Sequence, residues 1–149
     1  MVTIQLPPDF KEFFTLLNLE KTEYLLVGGY AVIHYGYVRS TGDMDIWFNP
    51  SPENAQRLVR VLIQFGLSEG SLMPEQFTEP GKVFQIGVPP LRIDLLTSIT
   101  GCDFASCYAK RSVVEFDDVE VPIISLDELK TNKRATGRAK DQADLENLP

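Results

Sequence analysis

Between Tyr24 and Gly29 the chain reads YLLVGG, four apolar residues closed by two glycines. A run apolar at every position has no face to give to water, so it folds as a short strand covered on both sides. The glycine pair ends that strand, and the chain turns into a short helix over YAVIHYG that stops near Gly36. Glycines at a strand-to-helix turn let an anion approach the backbone, and the helix N-terminus favours negative charge. Neither a Walker A loop nor a GxGxxG pattern is present, which sets aside the P-loop and Rossmann readings.

The rest of the pattern alternates helices and strands. Apolar residues at Phe10, Phe13, Phe14, Leu16 and Leu17 predict a helix over Asp9–Glu20 with Asp9 as its N-cap. Met44–Phe48 is a β-rich segment, and Asn49-Pro50-Ser51-Pro52 then opens a helix that Gly66 stops. LSEGSLMPEQFTEPG, with two glycines and two prolines, predicts a mobile surface loop. KVFQIGV and LRIDLLTSI predict a hairpin about Pro89-Pro90, and a short helix is expected over Phe104–Lys110. SVVEFDDVEVPIIS predicts a second hairpin turning at Asp117-Asp118. A helix over SLDELKTNKRAT follows, with Ser125 as N-cap and Glu128 at the capping-box spacing. Gly137 breaks it before a last short helix over KDQADLENL. This order predicts an α/β (α+β) fold, one mixed β-sheet flanked by helices. The 149 residues are expected to form a single domain, 1–149, able to bury a core without disulfides.

Chemistry concentrates at Asp43-Met-Asp45. One residue apart on a strand, the two carboxylates share a face with Cα atoms about 7 Å apart, at a rise of ~3.3 Å per residue. Like charges so placed repel unless a cation joins them. Mg²⁺ is commonly held by one or two carboxylates together with substrate phosphates. Asp94 is the third candidate, because an acid inside the largely apolar LRIDLLTSI must be exposed, paired or functional. If that strand lies beside Met44–Phe48, Asp94 meets the pair as a metal ligand or as a general base.

Composition narrows the alternatives. A formal net charge of -7 argues against a dedicated DNA- or RNA-binding surface, although Lys130, Lys133, Arg134, Arg138 and Lys140 form a local basic patch. Cys102 and Cys107 lack the spacing of a zinc or redox CxxC motif and read as free thiols of a reducing compartment. The N-terminal residues carry no signal-peptide layout, and no apolar run reaches the ~20 residues of a membrane span. A cytoplasmic protein is expected.

LLVGGYAVIHYGYVRSTGDMDIWF resembles the signature of the polymerase-beta-like nucleotidyltransferase superfamily. Thirteen residues, Tyr30 to Gly42, separate the glycines from the first aspartate. The Gly-Gly-aromatic-Ala start, together with Arg39, Thr41, Asp43 and Asp45, is similar to a small bacterial subgroup. That subgroup includes lincosamide-modifying enzymes and abortive-infection toxin relatives. The strand carrying Asp94 and the C-terminal segment from Ser125 to Leu148 match it as well.

The resemblance implies that Gly28 and Gly29 hold a nucleoside triphosphate while Asp43 and Asp45 bind Mg²⁺, with Mn²⁺ as the alternative ion, and that Asp94 completes the metal site or activates the acceptor. It also implies transfer of a nucleoside monophosphate from an NTP to an acceptor hydroxyl, with release of pyrophosphate. The acceptor is a small molecule, a protein or an RNA end, and a protein partner or a homodimer could complete its site. Tyr30 either stacks near the nucleotide or packs, and packing is favoured. Arg39 and Thr41 sit just before the carboxylates, where they could touch phosphate. Lys133, Arg138 and Lys140 complement phosphate or form a solvated face, and Asp141 and Asp144 pair with that basic patch. His34 is expected to be a satisfied helix residue, and Trp47 to pack rather than border the site. The alternative function is a non-catalytic nucleotide-binding regulator or one component of a toxin–antitoxin pair.

Overall fold

The computed structural model describes residues 4–149. Residues 1–3, on which the reading of the N-terminus partly rests, lie outside the described residues. The first helix, α1 (Pro8–Leu19), buries Phe10, Phe13, Phe14 and Leu17. It starts one residue earlier than its charge pattern suggests. Pro7 stands at the cap and Pro8 supplies the preset first turn, so Asp9 lies inside that turn instead of capping it.

The strand β1 (Tyr24–Val27) is buried at all four positions. It pairs antiparallel with β2 (Asp43–Phe48) and parallel with β6 (Val119–Ile123). A strand with neighbours on both edges and layers on both faces needs the unbroken apolar run that the sequence supplies. The short helix α2 (Gly28–His34) follows β1 without a linker, and α3 (Pro52–Phe65) follows β2. The hydroxyl of Ser51 accepts the N–H of Asn54 and caps α3.

The expected hairpin is β3 (Val83–Ile86) paired antiparallel with β4 (Arg92–Leu96). The sheet is mixed and six-stranded, in the order β3-β4-β2-β1-β6-β5, where β5 is Ser112–Phe116. The hairpin of β5 and β6 turns at Asp117 and Asp118, both at positive φ (49° and 66°), as a two-residue hairpin turn requires. The remaining helices are α4 (Phe104–Ala109), α5 (Leu126–Thr136) and α6 (Ala139–Asn147). The Ser125 hydroxyl caps α5, and Gly137 ends it in the left-handed region. Among the described residues, no helix is long and apolar enough to cross a membrane.

One segment departs from its expectation. Residues 67–81 contain two 3-10 turns, Glu69–Ser71 and Pro74–Phe77. Phe77 is buried, its ring 6.0 Å from Phe48 and 4.6 Å from Phe84 between centroids. The glycines and prolines set the turns, but one aromatic anchor ties the segment to β2 and β3. Replacing Phe77 with alanine should therefore cost about 3–5 kcal/mol, measured by denaturant unfolding. A loop without anchorage would lose almost nothing.

Candidate functional site

The parallel pairing of β2 with β4 is the step that builds the site. In its register Asp45 faces Asp94, and Asp43 faces Arg92. Side chains alternate along each strand, so Asp43, Asp45, Arg92 and Asp94 project from one face. The opposite face carries Met44, Ile46, Ile93 and Leu95, all buried in the core. Apolar residues at every other position thus force the three carboxylates together.

The glycine turn closes over this face. Gly28 has φ +70°, and a Cβ built there would lie 2.1 Å from Oδ2 of Asp45. Gly29 is buried, and a Cβ on it would lie 2.3 Å from Oγ1 of Thr41. Both glycines are demanded by the protein's own side chains, whatever ligand the turn also accepts. No side chain caps the first turn of α2.

The carboxylates are not equivalent. Burial, then the charges of Asp94 and Asp43, push the Asp45 carboxyl up to about 6, against the opposing pull of Lys133 and Lys140. Arg92 bridges the other two acids. Its Nε donates to Asp94 Oδ1 at 2.9 Å, and one terminal nitrogen reaches Asp43 Oδ2 at 2.5 Å. Arg92 was not singled out in the sequence, yet its signal was there, two residues before Asp94 on the same face.

Facing the sheet are α5, α6 and the segment before β2 that carries Arg39. Lys133 is buried and donates to Asp141 Oδ1 at 2.8 Å, with Asp144 Oδ2 3.0 Å away. Arg39 makes a two-point contact with Asp144, at 2.8 and 2.9 Å. Arg138 and the Thr136 hydroxyl donate to Asp141 Oδ2. The expected pairing of Asp141 and Asp144 with the basic patch is therefore present, and it is buried. Burial raises the Asp141 carboxyl, but the bonds from Lys133, Thr136 and Arg138 outweigh it and hold the group down at about 2.

These elements enclose a cleft of about 630 Å³. Its lining includes Gly28, Gly29, Arg39, Asp43, Asp45, Asp94 and Lys140 of the predicted residues. Lys133 and Arg138 join them, and Ser98, Ile99, Thr100 and Asn132 form a wall that no motif announced. Thr41 supports the cleft from behind Gly29. Tyr30 is not part of the lining, and its ring edge packs on Phe10, 6.1 Å between centroids. Trp47 is buried with its ring 5.1 Å from Phe104, so it packs. His34 lies in the interior beside Tyr35 and Phe116, a buried helix histidine whose Nδ1 has no hydrogen-bond partner among the described residues.

No protein-family model and no curated protein sequence matches the chain. Solved structures do. A candidate nucleotidyltransferase from Thermotoga maritima superposes with a TM-score of 0.61 at 15% identity, covering 92% of this chain and 88% of that one. A lincomycin-bound lincosamide antibiotic adenylyltransferase superposes with a TM-score of 0.57 at 18% identity, covering 97% of this chain and 96% of the other. The chain thus has the nucleotidyltransferase fold, the fold that the resemblance implied.

Two outcomes test this geometry. Gly28→Ala places a side chain in the left-handed region, at about 1–3 kcal/mol from the backbone alone, and it also displaces Asp45. Thermal unfolding should register a loss at least that large, whereas Gly42→Ala, which lies outside the left-handed region and where an added Cβ meets nothing, should lose almost nothing. Asp141→Asn should destabilise by about 3–5 kcal/mol at neutral pH, because it leaves Lys133 short of a buried partner. The folded carboxyl titrates below its ordinary value, so its contribution is complete above about pH 4. It is lost as pH falls through about 2, and the gap between wild type and variant should close over that window.

Proposed function

We propose that the protein is a Mg²⁺-dependent nucleotidyltransferase that moves a nucleoside monophosphate from an NTP to an acceptor hydroxyl and releases pyrophosphate. The observation that carries this reading is the direct pairing of Asp45 with Asp94, with Asp43 on the same face and the Gly28-Gly29 turn against Asp45. Carboxylates this close, one of them pushed up to about 6 by burial and by its neighbours, form an oxygen-donor set suited to a hard cation. In this reading Asp43, Asp45 and Asp94 hold Mg²⁺ or Mn²⁺. The cation would offset phosphate charge and polarise the reacting phosphoryl group.

The chain's own residues then divide the remaining work. Lys133, Arg138 and Lys140 line the cleft and supply positive charge to a triphosphate lying over the glycine turn. Arg39 is held at two points by Asp144, so it acts by positioning more than by reaching out. Thr41 fits beneath Gly29 and sets the height of the turn. The attacking hydroxyl oxygen bonds to the α-phosphorus, and the bond from that phosphorus to the bridging oxygen breaks. Pyrophosphate keeps the electron pair, and the hydroxyl proton passes to a carboxylate of the cluster. Tyr30 has no part in this scheme.

Residues from β2, β4, α5 and α6 all line one cleft, which supports reading 1–149 as one nucleotidyltransferase-like domain. An NTP donor implies a cytoplasmic location. The lincomycin-bound neighbour favours a small-molecule hydroxyl among the possible acceptors. A non-catalytic, nucleotide-binding regulator, or one half of a toxin–antitoxin pair, is the second reading. The Arg92 bridge favours it, because a guanidinium already neutralises Asp43 and Asp94.

Calorimetry with a panel of NTPs and Mg²⁺ tests the proposal. Asp45→Asn should lower affinity by more than about tenfold, or 1.4 kcal/mol, while circular dichroism stays unchanged. Equal affinity in the two proteins would defeat the metal-site reading. Pyrophosphate release with a hydroxyl acceptor marks the enzyme, and NTP binding with no release from any acceptor marks the regulator.

A further inference from the structure

Away from the carboxylate face, the fold brings two nearby cysteines together with a carboxylate from another helix. Cys102 sits on a β-bridge to Ile99, Cys107 is fully buried in α4, and Glu128 lies in the first turn of α5. One ligand atom from each lies within 4.8 Å of the other two. The Cys107 Sγ is 3.5 Å from Glu128 Oε2. A tetrahedral Zn²⁺ with Zn–S near 2.3 Å and Zn–O near 2.1 Å has an S···O edge of about 3.6 Å, so this separation already matches one edge of such a site. We propose that Cys102, Cys107 and Glu128 form a binding site for a thiophilic divalent cation of the zinc class.

The surroundings fit that assignment. Lys110 Nζ donates to Glu128 Oε1 at 3.1 Å and turns Oε2 towards the thiols. A carboxylate oriented through its other oxygen is a common second-layer arrangement around a bound metal. Two thiolates and one carboxylate against a divalent cation leave a single negative charge, and the Lys110 ammonium offsets it. A thiol is mostly protonated at neutral pH and binds a metal as the thiolate, so uptake forms two metal–sulfur bonds while releasing two protons to solvent. The fourth position is left for water. Such a site would clip α4 and the Ile99–Cys102 bridge to α5, the helix that carries Asn132 and Lys133 into the cleft.

Cobalt(II) is the probe, added to the full chain after chelation and reduction with a phosphine. The expected result is one Co²⁺ per chain with a sulfur-to-cobalt charge-transfer band in the near ultraviolet, displaced by Zn²⁺ with release of two protons. Cys102→Ser, at the less buried of the two thiols, should abolish the band. Glu128→Gln should weaken Co²⁺ binding at least about tenfold. Asp45→Asn should leave the band intact, which separates this site from the proposed Mg²⁺ site. No band in the wild type, or a band unchanged in Cys102→Ser, would overturn the assignment. So would a Cys102–Cys107 disulfide on exposure to oxidised glutathione with no cation uptake by the reduced chain.

Discussion

Three carboxylates share one face because β2 and β4 run parallel in a register that places Asp45 opposite Asp94. Their mutual repulsion is the constraint around which the cleft is arranged. The structure answers it with cations from two directions. Arg92 comes from within the sheet and bridges Asp43 and Asp94, while Lys133 and Lys140 come from the C-terminal helices and act on Asp45. Among the described residues Asp45 has no hydrogen-bonded cation of its own, and of the three acids it is the one whose carboxyl is raised. A fold that leaves one buried acid of three without a direct counter-ion has made a place where added positive charge is stabilising.

The C-terminal helices owe their position to the same kind of balance. Lys133, Asp141 and Asp144 are all buried, and ion pairs this far from water hold only when their remaining donors and acceptors are satisfied. Thr136 and Arg138 complete Asp141, and Arg39 completes Asp144. The network therefore joins α5, α6 and the segment before β2, so that Arg39 is fixed as the cleft wall is fixed. One set of charges closes the structure and sets the potential of the site.

Much of this was legible in the chain. The apolar run of β1 announced a central strand, and Asp117-Asp118 announced a hairpin turn. Ser125 and Gly137 marked the ends of α5, and alternation placed Asp43 and Asp45 on one face. Other features were not legible. Phe77 lies in a stretch of glycine, proline and polar residues, and its anchorage depends on how the later Phe84 and the distant Phe48 fold against it. Pro8 could serve as the first helical residue, which displaced Asp9 from the cap. The cysteines lacked a metal-binding spacing because their third neighbour, Glu128, arrives from another helix.

Local physics explains what the sequence determined alone. Periodicity, turn chemistry and side-chain alternation depend on near neighbours, and they established the elements, the mixed sheet and the common face of Asp43 and Asp45. Tertiary structure decided which strand would lie beside β2, and so whether Asp94 would join that pair and Arg92 would bridge it. It also decided that the glycine turn would rest against Asp45, and that Lys133 would be buried with Asp141 and Asp144. Strand register joins residues that no short window of the chain contains, and Lys133 and Asp141, although only eight residues apart, sit in a buried network that Arg39 completes from 105 residues away.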